Sequence, residues 1–121
     1  MELPRDEFDK YVEKAIDLIE PIFRVYLDEI PVVVEDVPSK EICRRLGMPD
    51  QGHLLGLFQG ISLIRQVNGR GGVNQITLYR RNILAICDSR KKLSEQIRKT
   101  IVHELGHHLG FTEQQLHEHG Y

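Results

Sequence analysis

A chain of 121 residues and 14.0 kDa with 40% apolar side chains has the size of one ordinary domain and enough apolar material for one core, which excludes a two-domain enzyme. Eighteen acidic against sixteen basic residues leave a formal charge of −2, so no general basic field collects nucleic acid; no apolar run approaches the roughly 18 residues of a membrane span. The polar start and two widely separated cysteines, Cys43 and Cys87, predict a soluble, unexported, cytoplasmic protein, residues 1–121 forming a single domain with reduced structural thiols.

Taken from the N-terminus, Phe8, Val12, Ala15, Ile16 and Ile19 recur at helical spacing and predict an amphipathic helix from Arg5 to Ile19. Pro21 opens a short second helix with Ile22, Phe23, Tyr26 and Leu27 on one face, and Pro31 resets the chain. Val32, Val33 and Val34 make a β-branched strand, and Ser39 caps a short helix carrying Ile42 and Leu46. The stretch from Leu54 to Ile64 reads as a strand in which Gly56 and Gly60 mark a bulge or a close backbone approach. After turn residues from Asn68 to Gly72, the stretch from Gln75 to Tyr79 alternates as a further strand, and the two are expected to pair as a hairpin. The glycine cluster lacks the lysine and spacing of a phosphate-binding loop and is read as a turn. From Arg80 to Cys87 a helical turn should send Ile83, Leu84 and Ile86 into the core, with a solvated break from Asp88 to Lys92 behind it.

Five of the six histidines fall in the last nineteen residues. There Leu93, Ile97, Ile101, Val102, Leu105 and Leu109 define the strongest helix of the chain, ending at Gly110 in a left-handed cap. Thr112 with Gln115 fits the capping box of a last short helix anchored by Leu116. The long helix carries His103, Glu104 and His107 as HExxH. Residues four apart share a face, so both imidazoles reach one metal ion while Glu104 projects beside them, placed to take a proton from a metal-activated water. At about 100° per residue the apolar residues fall in one arc and the two histidines on the opposite side, which separates a core face from a ligand face.

Catalytic zinc takes three protein ligands and keeps a fourth position open, so a third ligand is expected beyond Gly110. Glu113, completing HExxHxxGxxE, is the first candidate, against its reading as an acid that merely complements a helix N-terminus. His117, Glu118 and His119 are read as a frayed, solvated end outside the site. His108 falls within the apolar arc and is expected to pack there or bond to backbone, Gly106 marks either a close approach or simple tolerance, and His53 is a solvated loop residue.

On HELGHHLGFTEQQL, with ITLYRRNIL, LLGLFQGISL and VVVEDVPS in support, the sequence resembles a family of small bacterial zincin-like metallopeptidases over nearly the whole chain. The resemblance implies an α+β fold, a small zincin-like domain whose mixed β-sheet packs against the HExxH helix, with an edge strand bordering the cleft. It implies zinc (Zn2+) held by His103, His107 and Glu113, with Glu104 as the general base; family members often carry aspartate where Glu113 stands. The expected reaction is zinc-dependent hydrolysis of a peptide or protein substrate, laid as an added strand along the stretch from Leu54 to Phe58 or that from Gln75 to Tyr79, with no membrane or nucleic-acid partner. Two other classes compete. A metal-dependent endoribonuclease matches the spacing from His107 to Glu113 and finds a local basic rim in Arg65, Arg70, Arg80 and Arg81, but Glu104 and the negative net charge speak against it. A non-catalytic metal-binding interaction module carries the same motif and is separated only by turnover. Nothing in the pattern specifies an oligomeric state.

Overall fold

A computed structural model of the protein describes residues 1–60 and 74–121. Helix α1 (Arg5–Asp17) has Asp6 and Glu7 in its first turn and Lys14 in its last, charges that complement the helix dipole, and it buries Phe8, Val12 and Ala15 at spacings of four and three. Pro21 opens α2 (Pro21–Arg24), which tightens into a 3-10 turn over Val25–Asp28. Of the four apolar residues expected on one face, only Phe23 is fully buried, while Ile22 and Tyr26 are exposed. A single α-turn followed by a three-residue period cannot keep four side chains on one side.

Strand β1 (Val32–Glu35) alternates half-buried Val32 and Val34 with exposed Val33 and Glu35. Ser39 accepts the Ile42 N–H at 3.1 Å and starts α3 (Lys40–Leu46), which Gly47 ends at φ 68°. This helix buries Ile42 and Cys43, and Leu46 at its last turn faces solvent.

Strands β2 (Gly56–Gln59) and β3 (Gln75–Tyr79) pair antiparallel, Gly56 opposite Leu78 and Phe58 opposite Ile76. Strand β1 joins β3 in parallel, Val32 opposite Ile76, so the sheet is mixed and three-stranded in the order β1-β3-β2. This is an α+β arrangement with β3 in the centre. Of the two stretches expected to hold a substrate strand, the one from Gln75 to Tyr79 is therefore paired on both sides, and among the described residues β2 is paired on one side only. The strand expected from Leu54 to Ile64 is regular from Gly56 to Gln59. Its end beyond Gly60 and the turn from Asn68 to Gly72 lie outside the described residues.

Helix α4 (Arg80–Ala85) follows β3 directly and buries Asn82, Ile83 and Leu84, but Ile86, expected in the core, is exposed just past its end. Asn82 donates to the carbonyls of Gln51 and Leu54, each at 2.7 Å, and so ties the loop ahead of β2 to α4. Ser89 accepts the Lys92 N–H at 3.2 Å and caps α5 (Arg90–His108), so the solvated break expected from Asp88 to Lys92 is in fact a helix cap and first turn. Leu93, Ile97, Ile101, Val102 and Leu105 of α5 are buried, as their rotation about the axis predicts, in a core shared with Phe8, Val12, Ile76 and Leu78.

Helix α5 ends in a Schellman turn, with Phe111 N–H donating to Gly106 O at 2.8 Å, Gly110 N–H donating to His107 O at 3.1 Å, and Gly110 at φ 90°. Helix α6 (Glu113–Glu118) then starts from the Thr112–Gln115 capping box and buries Leu116. Among the described residues no helix is long and apolar enough to cross a membrane.

Strand β2 approaches α5 so closely that a Cβ on Gly56 would lie 2.6 Å from Thr100 Cγ2 and 3.1 Å from Thr77 O. The glycine thus serves close approach, one of the two readings its context allowed. Gly56→Ala should cost about 1–3 kcal/mol, the usual range for overpacking. Adding Thr100→Ser removes the interfering methyl yet keeps the hydroxyl bond to Gln96 O, and should restore part of the loss. Urea unfolding measures both, and a Gly56→Ala variant as stable as the wild type would show that β2 is not pinned against the helix.

Candidate metal centre

His103 and His107 stand one turn apart on α5, their ring centroids 5.9 Å apart. Their face turns away from the core, His103 being 21% exposed and His107 46%, while Leu105 between them is fully buried. The Gly110 turn reverses the chain and brings the first residue of α6 back to the pair. Glu113 Oε2 lies 3.3 Å from His103 Nδ1, and Oε1 lies 2.6 Å from His107 Nε2. The three donors fall within 4.8 Å of one another. Ligand arms of about 2.0–2.2 Å at tetrahedral angles separate donor atoms by roughly 3.3–3.6 Å, so small side-chain adjustments admit a zinc ion. Two imidazoles and one carboxylate also suit zinc better than the all-oxygen shells of magnesium or calcium.

Packing sets the position of Glu113. A Cβ on Gly106 would lie 2.5 Å from Leu116 Cδ2, so this glycine is a notch in α5 into which α6 plugs its one buried side chain. Desolvation opposes ionisation of Glu113, but the attraction of His103 and the hydrogen bond and attraction of His107 outweigh it and hold the carboxyl below its ordinary range.

Glu104 sits deeper, toward β2. Burial pushes its carboxyl above the ordinary range, against the attraction of His107 and His103 and a hydrogen bond from the Phe58 backbone N–H. A cleft of about 350 Å³ opens beside it, walled by Leu54, Leu55 and Gly56 on one side and by Gln96, Lys99, Thr100, His103 and Glu104 of α5 on the other. A larger cavity of about 720 Å³, between residues 1–4 and α4, shares no residue with HExxH and gathers no comparable donor set.

The C-terminal residues lie nearer than the sequence suggested. Gly120 at φ 93° ends α6 in a second Schellman turn, with Tyr121 N–H donating to Leu116 O at 3.0 Å and Gly120 N–H to His117 O at 2.9 Å. The hydroxyl of Tyr121 accepts the Glu20 N–H at 3.2 Å, and its main-chain oxygen lies 2.8 Å from His103 Nε2. An oxygen carrying only lone pairs makes Nε2 the donor, which orients the ring with Nδ1 toward Glu113. The end expected to fray is therefore closed. His119 pairs with Glu20 at 3.1 Å, and neither His117 nor Glu118 joins the donor cluster. Sequence reasoning missed Tyr121, whose only signal was a glycine placed to end a helix.

His108, expected to pack within the apolar arc, is exposed and stacks on Phe58 instead, the centroids 3.9 Å apart and the planes 17° from parallel. His53 pairs with Asp50 at 2.8 Å, outside the cluster. Of the basic rim, Arg80 is held by Asp36 at 3.0 Å and by the Leu3 carbonyl at 2.7 Å, and Arg81 lies 3.8 Å from Asp36. Arg65 and Arg70 fall outside the described residues.

A family model described as zincin-like metallopeptidase matches residues 27–121. Two chains of solved structures match. One is a conserved hypothetical protein from T. thermophilus, 20% identical, with 96% of this chain and 99% of that chain covered at a TM-score of 0.55, a likeness of fold. No curated protein matches the chain.

Proposed function

The chain belongs to the zincin-like metallopeptidase family, and from that premise we propose that it is a zinc-dependent hydrolase of peptide bonds. In this reading His103, His107 and Glu113 hold the metal and Glu104 is the general base. The observation that carries it is the Glu113 carboxylate lying against both histidines, 3.3 and 2.6 Å away, with Glu104 beside them on the wall of a cleft. A zinc ion in that set supplies a Lewis acid that polarises a carbonyl and eases deprotonation of water near neutral pH.

The chain's own residues supply the rest. Glu104 accepts the proton of the attacking water and delivers it to the departing amine, a transfer suited to a carboxyl whose burial makes it a stronger base than an exposed glutamate. Tyr79 N–H bonds to Leu55 O at 2.9 Å, so in this antiparallel register Leu57 and Gln59 also turn their backbone groups to β3. Gly56 and Phe58 turn theirs outward. An extended peptide adding to this edge pairs with Gly56 and has the neighbouring cleft for one side chain. Glu104 and the engagement of Arg80 by Asp36 favour this substrate over RNA. The free, buried thiols of Cys43 and Cys87 suit the reducing cytoplasm proposed as its compartment.

Glu113→Ala should weaken zinc binding by at least about tenfold, the lower end seen even when a group behind a ligand is lost. Glu118→Ala, one of the rival positions, should leave it unchanged. Competition against a chelator measures both, and equal affinity in wild type and Glu113→Ala removes Glu113 from the ligand set.

A further inference from the structure

We infer that Tyr121 is a positioning residue for His103: moored to Glu20 and Phe23 near the other end of the chain, it holds a main-chain oxygen on Nε2 and so fixes the imidazole with Nδ1 toward Glu113. The service to a metal rests on the proposed ligand set; the hold on the ring does not.

The two ring nitrogens of His103 have different partners. Nε2 lies 2.8 Å from Tyr121 O, and Nδ1 lies 3.3 Å from Glu113 Oε2. A main-chain oxygen can only accept, so in the neutral ring the proton sits on Nε2 and the lone pair on Nδ1, the nitrogen then able to bind a cation. A histidine that ligates a metal ordinarily donates its other N–H to a group of this kind, and loss of that group costs about 10–100-fold in affinity. Turning the ring about its Cβ–Cγ bond would break both contacts of His103 at once.

What keeps the oxygen there is not local to α5. Tyr121 N–H donates to Leu116 O at 3.0 Å in the turn at Gly120. Its hydroxyl accepts the N–H of Glu20, 101 positions earlier, at 3.2 Å. Its ring meets that of Phe23 edge-on, the centroids 5.7 Å apart and the planes at 86°. Phe23 is fully buried and also receives the rings of Phe111 and His119, at 5.2 and 5.4 Å. His119 returns to the same Glu20, its Nδ1 3.1 Å from Oε2. Main chain, hydroxyl and ring of one residue are thus each held, by α6 and by α2 with the residue ahead of it, and the oxygen has little room to leave His103. Helix α2 contributes no donor to the cluster among the described residues, yet it fixes the ring of one that does.

Exchange of the His103 Nε2 proton with water, followed by nitrogen–proton NMR of the imidazoles in the metal-free protein, reads the hold directly. Tyr121→Ala keeps the main-chain oxygen and the N–H to Leu116 but loses hydroxyl and ring. It should speed the exchange about threefold to tenfold, the range that one hydrogen bond supports, while the amides of Ile97 and Ile101 in the middle of α5 keep their rates. Tyr121→Phe keeps a ring against Phe23 and should lie between wild type and alanine, a graded rescue that a general loosening of the fold would not give. Competition against a chelator should show zinc held at least about tenfold more weakly by Tyr121→Ala. Unchanged exchange in Tyr121→Ala, a Tyr121→Phe variant no nearer to wild type than alanine, or wild-type zinc affinity in Tyr121→Ala overturns the inference. A wild-type chain that binds no zinc refutes the metal site, and the exchange pattern alone then decides whether Tyr121 holds the ring. A chain that binds zinc without showing the pattern refutes the positioning role alone.

Discussion

Zinc retained by the wild-type chain, about one ion per molecule for a three-residue donor set, should be missing from both His103→Ala and His107→Ala. Each substitution leaves two donors, and a single group lost from behind a ligand already costs about 10–100-fold in affinity. The loss should not reflect unfolding. Both histidines lie on the face of α5 that turns from the core, and neither belongs to the buried cluster around Ile97, Ile101 and Leu105. Elemental analysis after dialysis, beside a thermal melt of each metal-free variant, separates the two causes. Equal zinc in wild type and both variants refutes the site.

Glu104→Gln should keep the zinc and lose turnover by at least about a hundredfold, the lower bound for removing a general acid–base group. Glutamine preserves the size of the side chain and still offers an oxygen to the Phe58 N–H, but it cannot take a proton. The pH profile adds an independent check. A base acts only when ionised, so the wild-type rate should fall as pH drops through the Glu104 pKa. The residual rate of the glutamine variant should lack this limb. A variant that hydrolyses a validated peptide at the wild-type rate rules out Glu104 as the base.

Period and local chemistry made much of this visible in advance. The rotation of Ile97, Ile101 and Leu105 against His103 and His107 needs only the pitch of a helix, and the Thr112 box and the Gly110 turn are local signals that the structure bears out. Ser89 was legible in principle, yet the charged run from Asp88 to Lys92 hid its capping role. Which strand is central was not local at all: β3 owes its place to parallel pairing with β1, more than forty positions away in sequence. His108 shows the limit of a helical wheel. The wheel gives a direction from the axis, but the partner in that direction near the end of α5 is the edge of β2 and not the core. Tyr121 reaches His103 through a main-chain oxygen, a group every residue owns and no sequence pattern marks.

Helix α6 is six residues long, too short to persist in water by its own hydrogen bonds, so the place of Glu113 depends on tertiary anchors, above all on Leu116 filling the notch at Gly106. Ligand and plug sit one turn apart on the same short rod. An ion gripped by Glu113, as proposed, would therefore also hold Leu116 in the core, and whatever loosens Leu116 would loosen the ion. Through this linkage an ion at a hundred times its dissociation constant would add about 2.7 kcal/mol to the stability of the folded chain. Metal-starved molecules would present an undocked segment to cellular proteases while loaded ones do not. The lifetime of the protein would then follow the supply of the ion that its proposed chemistry uses.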